Sequence, residues 1–167
     1  METAFYVAAL LSILTTGLAL TGTHAVHSLL YLILSLLSVS AMFLLLGAPF
    51  VAALEVVVYA GAIMVLFVFV VMLLNVGRAT EQQERSQLSF KSWILPAVIA
   101  AALIGELAYV LTLAPAGGAL QADVAVKPVA LALFGPYLLG VEMAALLLLA
   151  GMVGAYHLGR QDEGARS

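Results

Sequence analysis

Apolar residues along this chain neither alternate with polar ones nor recur in a stripe; they run in unbroken blocks. Five blocks, at about residues 3–21, 26–46, 50–75, 93–113 and 137–158, each come close to or exceed the roughly 20 residues that a helix needs to cross a hydrocarbon core. Because the blocks are greasy on every side, they predict helices surrounded by lipid or protein rather than amphipathic surface helices. Between them lie a mixed-charge stretch, residues 76–92, and a Pro- and Gly-rich stretch, residues 114–136. The second has the composition of a loop with room for a short surface helix. The expectation is an all-α polytopic membrane protein, a single transmembrane domain over residues 1–167.

Composition removes the soluble alternatives. With 65% hydrophobic and 9% charged residues, the chain has too little polar surface to cover a globule. Neither connecting stretch reaches the roughly 50 residues of a folded soluble domain, so no nucleotide-binding domain fits, and no nucleic-acid partner is expected. The absence of cysteine excludes disulfides and cysteine-held zinc or iron-sulfur clusters, and no bound cofactor is expected. The leading residues Met1, Glu2 and Thr3 lack the positive charge of a signal peptide, so the first block is expected to remain as a helix. With five spans, Arg78, Arg85, Lys91, Arg160 and Arg166 fall on one side and Lys127 on the other. The positive-inside rule then places the N-terminus outside and the C-terminus in the cytoplasm. Tyr6 and Trp93 fall where interfacial rings anchor a span.

Chemistry is left to the acids inside the spans: Glu55, Glu106 and Glu142. Each costs on the order of 2.5 to 3.5 kcal/mol at a helix centre, against roughly 4 to 8 kcal/mol contributed by the fourteen Leu, Ile, Val and Phe of "LEVVVYAGAIMVLFVFVVMLLN", residues 54–75. The third block therefore inserts despite Glu55. No Lys or Arg lies within a block, so these carboxyls must be protonated, hydrated or paired with another protein, which points to a subunit of a larger membrane assembly. Glu55 is followed one turn on by Tyr59, and then by the small residues Ala60, Gly61 and Ala62. Loss of side-chain bulk weakens the local α preference, and a π-bulge there re-phases the remainder of the span by about 100°. Met64, Val65 and Phe67 would change faces. Read alone, Gly61 is better explained as a packing glycine.

The core "YAGAIMVLF" resembles the third-helix signature of the subunit J family of respiratory complex I, the bacterial NADH-quinone oxidoreductase, whose mitochondrial counterpart is the sixth ND subunit. Similarity extends back through "THAVHSLLYLILSLLSVSAMFLLLGAPFVAALE" and resumes in "LFGPYLLGVEMAALLLLAGMVGAYHLGR". The resemblance implies a membrane-arm subunit of the bacterial inner membrane, packed against subunits A, H and K. It binds no cofactor itself, the NADH, FMN, iron-sulfur clusters and quinone being held by other subunits. It also implies that a π-bulge in the third helix gates a proton route, making Tyr59, Gly61, Met64, Val65 and Phe67 the switch, with Glu55 and Glu142 beside the route. Glu106 matches no motif of the family and is expected to be structural.

Two other readings remain open: a homologous subunit of a multisubunit sodium/proton antiporter or membrane-bound hydrogenase, and a purely structural brace. His24 and His27 are three apart but lack further ligands for a metal, so His24 is expected to serve as a turn or cap. Ser35, Ser38 and Ser40 are explained by bonding within or between helices. Gly151 and Ala155, four apart, suggest a close helix contact.

Overall fold

A computed structural model describes residues 2–22, 25–75, 90–113 and 124–159. The His24 assignment, the bulk of the two connecting stretches, and Arg78, Arg85, Arg160 and Arg166 lie outside the described residues. Those that are described are helical or in short turns, and five helices are long and apolar enough to cross a membrane. The expected all-α polytopic fold is what the chain adopts.

Two units are described separately, residues 1–124 and 125–167. The first contains α1 (Glu2–Thr21), α2 (Ala25–Leu45), the third span and α5 (Phe90–Leu113). The third span is a composite of α3 (Pro49–Leu54), a π-helix π1 (Glu55–Ile63) and α4 (Met64–Asn75). The second contains α6 (Val126–Leu133) and the fifth span α7 (Leu138–Gly159).

In lipid, burying apolar surface gains little, so helices associate through close approach and interhelical hydrogen bonds. The α1–α2 seam is built that way. Ala8, Thr15 and Ser38 are fully buried, and these small side chains let the helix backbones come near. Thr15 Oγ1 donates to Leu11 O at 2.7 Å and Ser38 Oγ to Leu34 O at 2.8 Å, so each hydroxyl is satisfied within its own helix. Ser35 Oγ lies 2.7 Å from Thr16 Oγ1 and 3.4 Å from Ser12 Oγ across the seam. Leu34 of α2 meets Ile99 and Leu103 of α5, with Leu11 and Leu18 of α1 packed against them. Three helices thereby share one apolar cluster.

The start of the third span is set by a backbone motif. Gly47 has φ 76°, a left-handed conformation that disfavours any residue with a Cβ. Gly47 N–H donates to Leu44 O at 3.1 Å and Ala48 N–H to Phe43 O at 3.0 Å, a Schellman ending for α2. Pro49 then opens α3, where its missing N–H and fixed φ suit the first turn.

Candidate functional site

The third span changes winding twice. At its start, Glu55 N–H still reaches Ala52 O and Val51 O. From Glu55 to Ile63 the helix is π, so the expected irregularity is present and occupies nine residues rather than one. At its end Met64 N–H bonds Tyr59 O, five residues back, and Gly61 O, three back, as the chain returns to α geometry.

Two observations explain why this stretch holds the wider winding. Gly61 is the first. A Cβ built there would lie 3.1 Å from the Val56 carbonyl oxygen, five residues earlier, so the π form at this point favours a residue without one. Ser40 is the second. Its buried hydroxyl donates to Ala52 O at 2.8 Å, across from α2 to the end of α3, at the carbonyl where α gives way to π. The role of Ser40 at this junction was not visible in the sequence, where it belongs to an ordinary run of helix serines. Only pairing α2 with α3 singles it out.

The residues singled out from the sequence sort by face. Ala60 and Met64 are each 8% exposed, whereas Tyr59, Val65 and Phe67 are exposed, Tyr59 to 49%. Outside its own span, π1 packs chiefly on α2. Glu55 opens π1 and is half-buried, and Gly61 is half-buried in its middle. Neither Glu55 nor Tyr59 makes a side-chain hydrogen bond among the described residues. Glu142 lies on α7 in the second unit and is exposed. Tyr59 and Gly61 thus share one π segment with Glu55, Met64 begins the α-helix after it, and Val65 and Phe67 continue that helix.

Burial falls elsewhere for the third acid. Glu106, on α5, has both carboxyl oxygens closed off from solvent, without a hydrogen-bond partner among the described residues. The His27 ring meets Trp93 edge to face, with centroids 5.8 Å apart. Among the described residues no group of three or more His, Asp or Glu is placed to hold a metal ion.

Comparison with known proteins gives a consistent answer. Residues 15–158 match the family model described as NADH-ubiquinone/plastoquinone oxidoreductase chain 6. The NADH-quinone oxidoreductase subunit J of Pseudomonas aeruginosa is 54% identical over 163 residues, spanning 97% of this chain and 98% of that protein. The subunit J of Escherichia coli K12 is 49% identical over 162 residues, 97% of this chain and 88% of that protein. That of Buchnera aphidicola from Schizaphis graminum is 44% identical, over 98% of this chain and the whole of that protein.

Proposed function

This chain belongs to the NADH-ubiquinone/plastoquinone oxidoreductase chain 6 family and is a multi-pass membrane subunit of an NADH-quinone oxidoreductase, and on that premise we propose that its third span is a two-state coupling element. In one state π1 has the π winding of this structure; in the other it is α. Conversion re-phases the two ends of the span by about 100°, one residue's share of a turn. Met64 leaves the buried face it now occupies, while Tyr59, Val65 and Phe67 are re-aimed. In this reading Glu55 and Glu142 stand beside a proton route whose continuity depends on that winding, so quinone reduction elsewhere in the complex is linked to proton movement. The chain itself binds no cofactor, packs against subunits A, H and K, and has its N-terminus outside and its C-terminus in the cytoplasm.

One observation carries the proposal: nine residues of π-helix containing Tyr59 and Gly61, begun by Glu55, in a span that has no need of them to cross lipid. π-helical segments are rare and cluster at functional sites.

The test is the pair of substitutions Glu55→Gln and Tyr59→Phe in one assembled complex. The expected result is NADH oxidation with fewer protons moved per electron, measured in proteoliposomes. An assembled double variant that pumps with the wild-type ratio makes the third span a brace.

A further inference from the structure

The three intramembrane acids need protonation, water or a partner, and the fold separates them. Glu142 is exposed and Glu55 half-buried, so both can reach groups outside this chain. Glu106 is half-buried too, but its carboxyl end is the enclosed part: both oxygens are closed off from solvent by this chain alone, so a cation from a neighbouring subunit reaches them only by parting α5 from its neighbours. Among the described residues no cation is on hand either: α1 and α2 contain no Lys or Arg, and Lys91 of α5 lies 15 residues away, about 22 Å along the axis. An unpaired carboxylate buried in this way is costly enough that the group takes up a proton instead.

Polar groups lie close along the same seam. The Glu106 carboxyl sits by the Ala8 backbone of α1. One turn further along that helix, on the same face, is Ser12. Ser12, Ser35 and Thr16 form a hydroxyl cluster, with Ser35 3.4 Å from Ser12 and 2.7 Å from Thr16. Thr16 also lines a mainly apolar cavity of about 310 Å³, together with Ser28, Leu32 and Val71. Hydroxyls both donate and accept, so they can relay a proton without becoming charged.

We propose that Glu106 is a proton-exchange site: a carboxyl enclosed beside α1 that holds a proton at rest and exchanges it with the Ser12–Ser35–Thr16 hydroxyls across a gap bridged by water, since no direct hydrogen bond joins them in this structure. The step moves one proton between the carboxyl and this hydroxyl chain, with no change in oxidation state. It rests on the proposed coupling role of the third span and adds a site outside that span.

The test is infrared difference spectroscopy of the assembled complex together with its proton-to-electron ratio, in wild type, Glu106→Gln and Glu106→Asp. Wild type is expected to show a carbonyl stretch of a protonated carboxyl. Glu106→Gln is expected to lose it and to pump fewer protons per electron. Glu106→Asp, which keeps a carboxyl, is expected to shift the band and recover part of the ratio. Should the Gln variant not assemble, the shift in the Asp variant decides. An unshifted or absent band overturns the proposal, as does a normal ratio in Glu106→Gln. A normal ratio in Glu106→Gln beside a lowered one in the Glu55/Tyr59 double variant removes this site and leaves the third-span reading intact. The opposite pattern removes the third-span switch alone.

Discussion

Adding one methyl group at residue 61 tests the winding of the third span directly. In Gly61→Ala the new Cβ sits 3.1 Å from the Val56 carbonyl oxygen, and because that atom is backbone the π segment has to yield by a few tenths of an ångström. Overpacking of this kind costs on the order of 1 kcal/mol. The helix propensity that alanine gains over glycine applies to both windings and cancels, so the α-to-π ratio should rise with about 1 kcal/mol behind it, a factor of about 5. Gly61→Val places two further methyls in the same space and should push harder. The assay is the proton-to-electron ratio of the purified complex in proteoliposomes, read beside a structure of each variant that reports the winding of residues 55–63. The expected order is wild type, then Ala, then Val, with NADH oxidation less affected than proton movement. The reasoning is refuted by Gly61→Val complexes that keep the π segment, or that lose it and still pump at the wild-type ratio.

Ser40→Ala removes the hydroxyl that bonds Ala52 O; an interhelical bond of this type averages about 0.6 kcal/mol in a membrane and reaches about 1.7. A small drop in the melting temperature of the complex is expected, with altered winding at the α3–π1 junction, and an unchanged junction would show that Ser40 does not hold it. On α7, a Cβ added at Gly151 or Gly154 meets nothing within 4 Å among the described residues of its own unit, so Gly151→Leu should insert and accumulate normally yet fail to copurify with the other membrane subunits. Normal copurification would show that this face makes no close contact in the complex.

The five spans were legible because a bilayer imposes two crude demands, length and apolarity, and nothing in this chain obscures them. The π segment was legible only through the family resemblance of "YAGAIMVLF"; an acid, a phenol and three small residues allow a bulge but are explained as well by close helix packing. Its extent was not. Whether one residue or nine leaves the α register depends on which carbonyls find other partners, and Ser40 becomes a partner for Ala52 only once α2 and α3 are side by side. Glu106 shows the same limit from the other side. In the sequence it is one acid among three, in a helix without a family motif, and nothing local to it says that the Ala8 backbone of α1 will lie beside its carboxyl. Periodicity reports how a helix faces its surroundings; it does not report which helix will be there.

The placement of π1 bears on how a partner could work it. The first unit is held by the hydroxyl and small-residue seam of α1 and α2 and by the leucine cluster shared with α5, whereas π1 leans chiefly on α2 and leaves Val57, Tyr59 and Phe67 on exposed faces of the span. Elements that move are drawn from the less firmly held parts of a structure. In the proposed switch, a neighbouring subunit needs no large force. It can shift the balance only by as much as its contacts differ between the two windings, and a difference of about 1.4 kcal/mol is already tenfold. A ring the size of Tyr59 or Phe67, packed against a neighbour in one winding and turned away in the other, is enough to supply that difference. Trimming Phe67 to alanine should therefore alter which winding the assembled complex prefers while leaving the isolated chain's preference nearly unchanged. Equal shifts in both would place control of the winding inside this chain, with Gly61 and Ser40, and not with its neighbours.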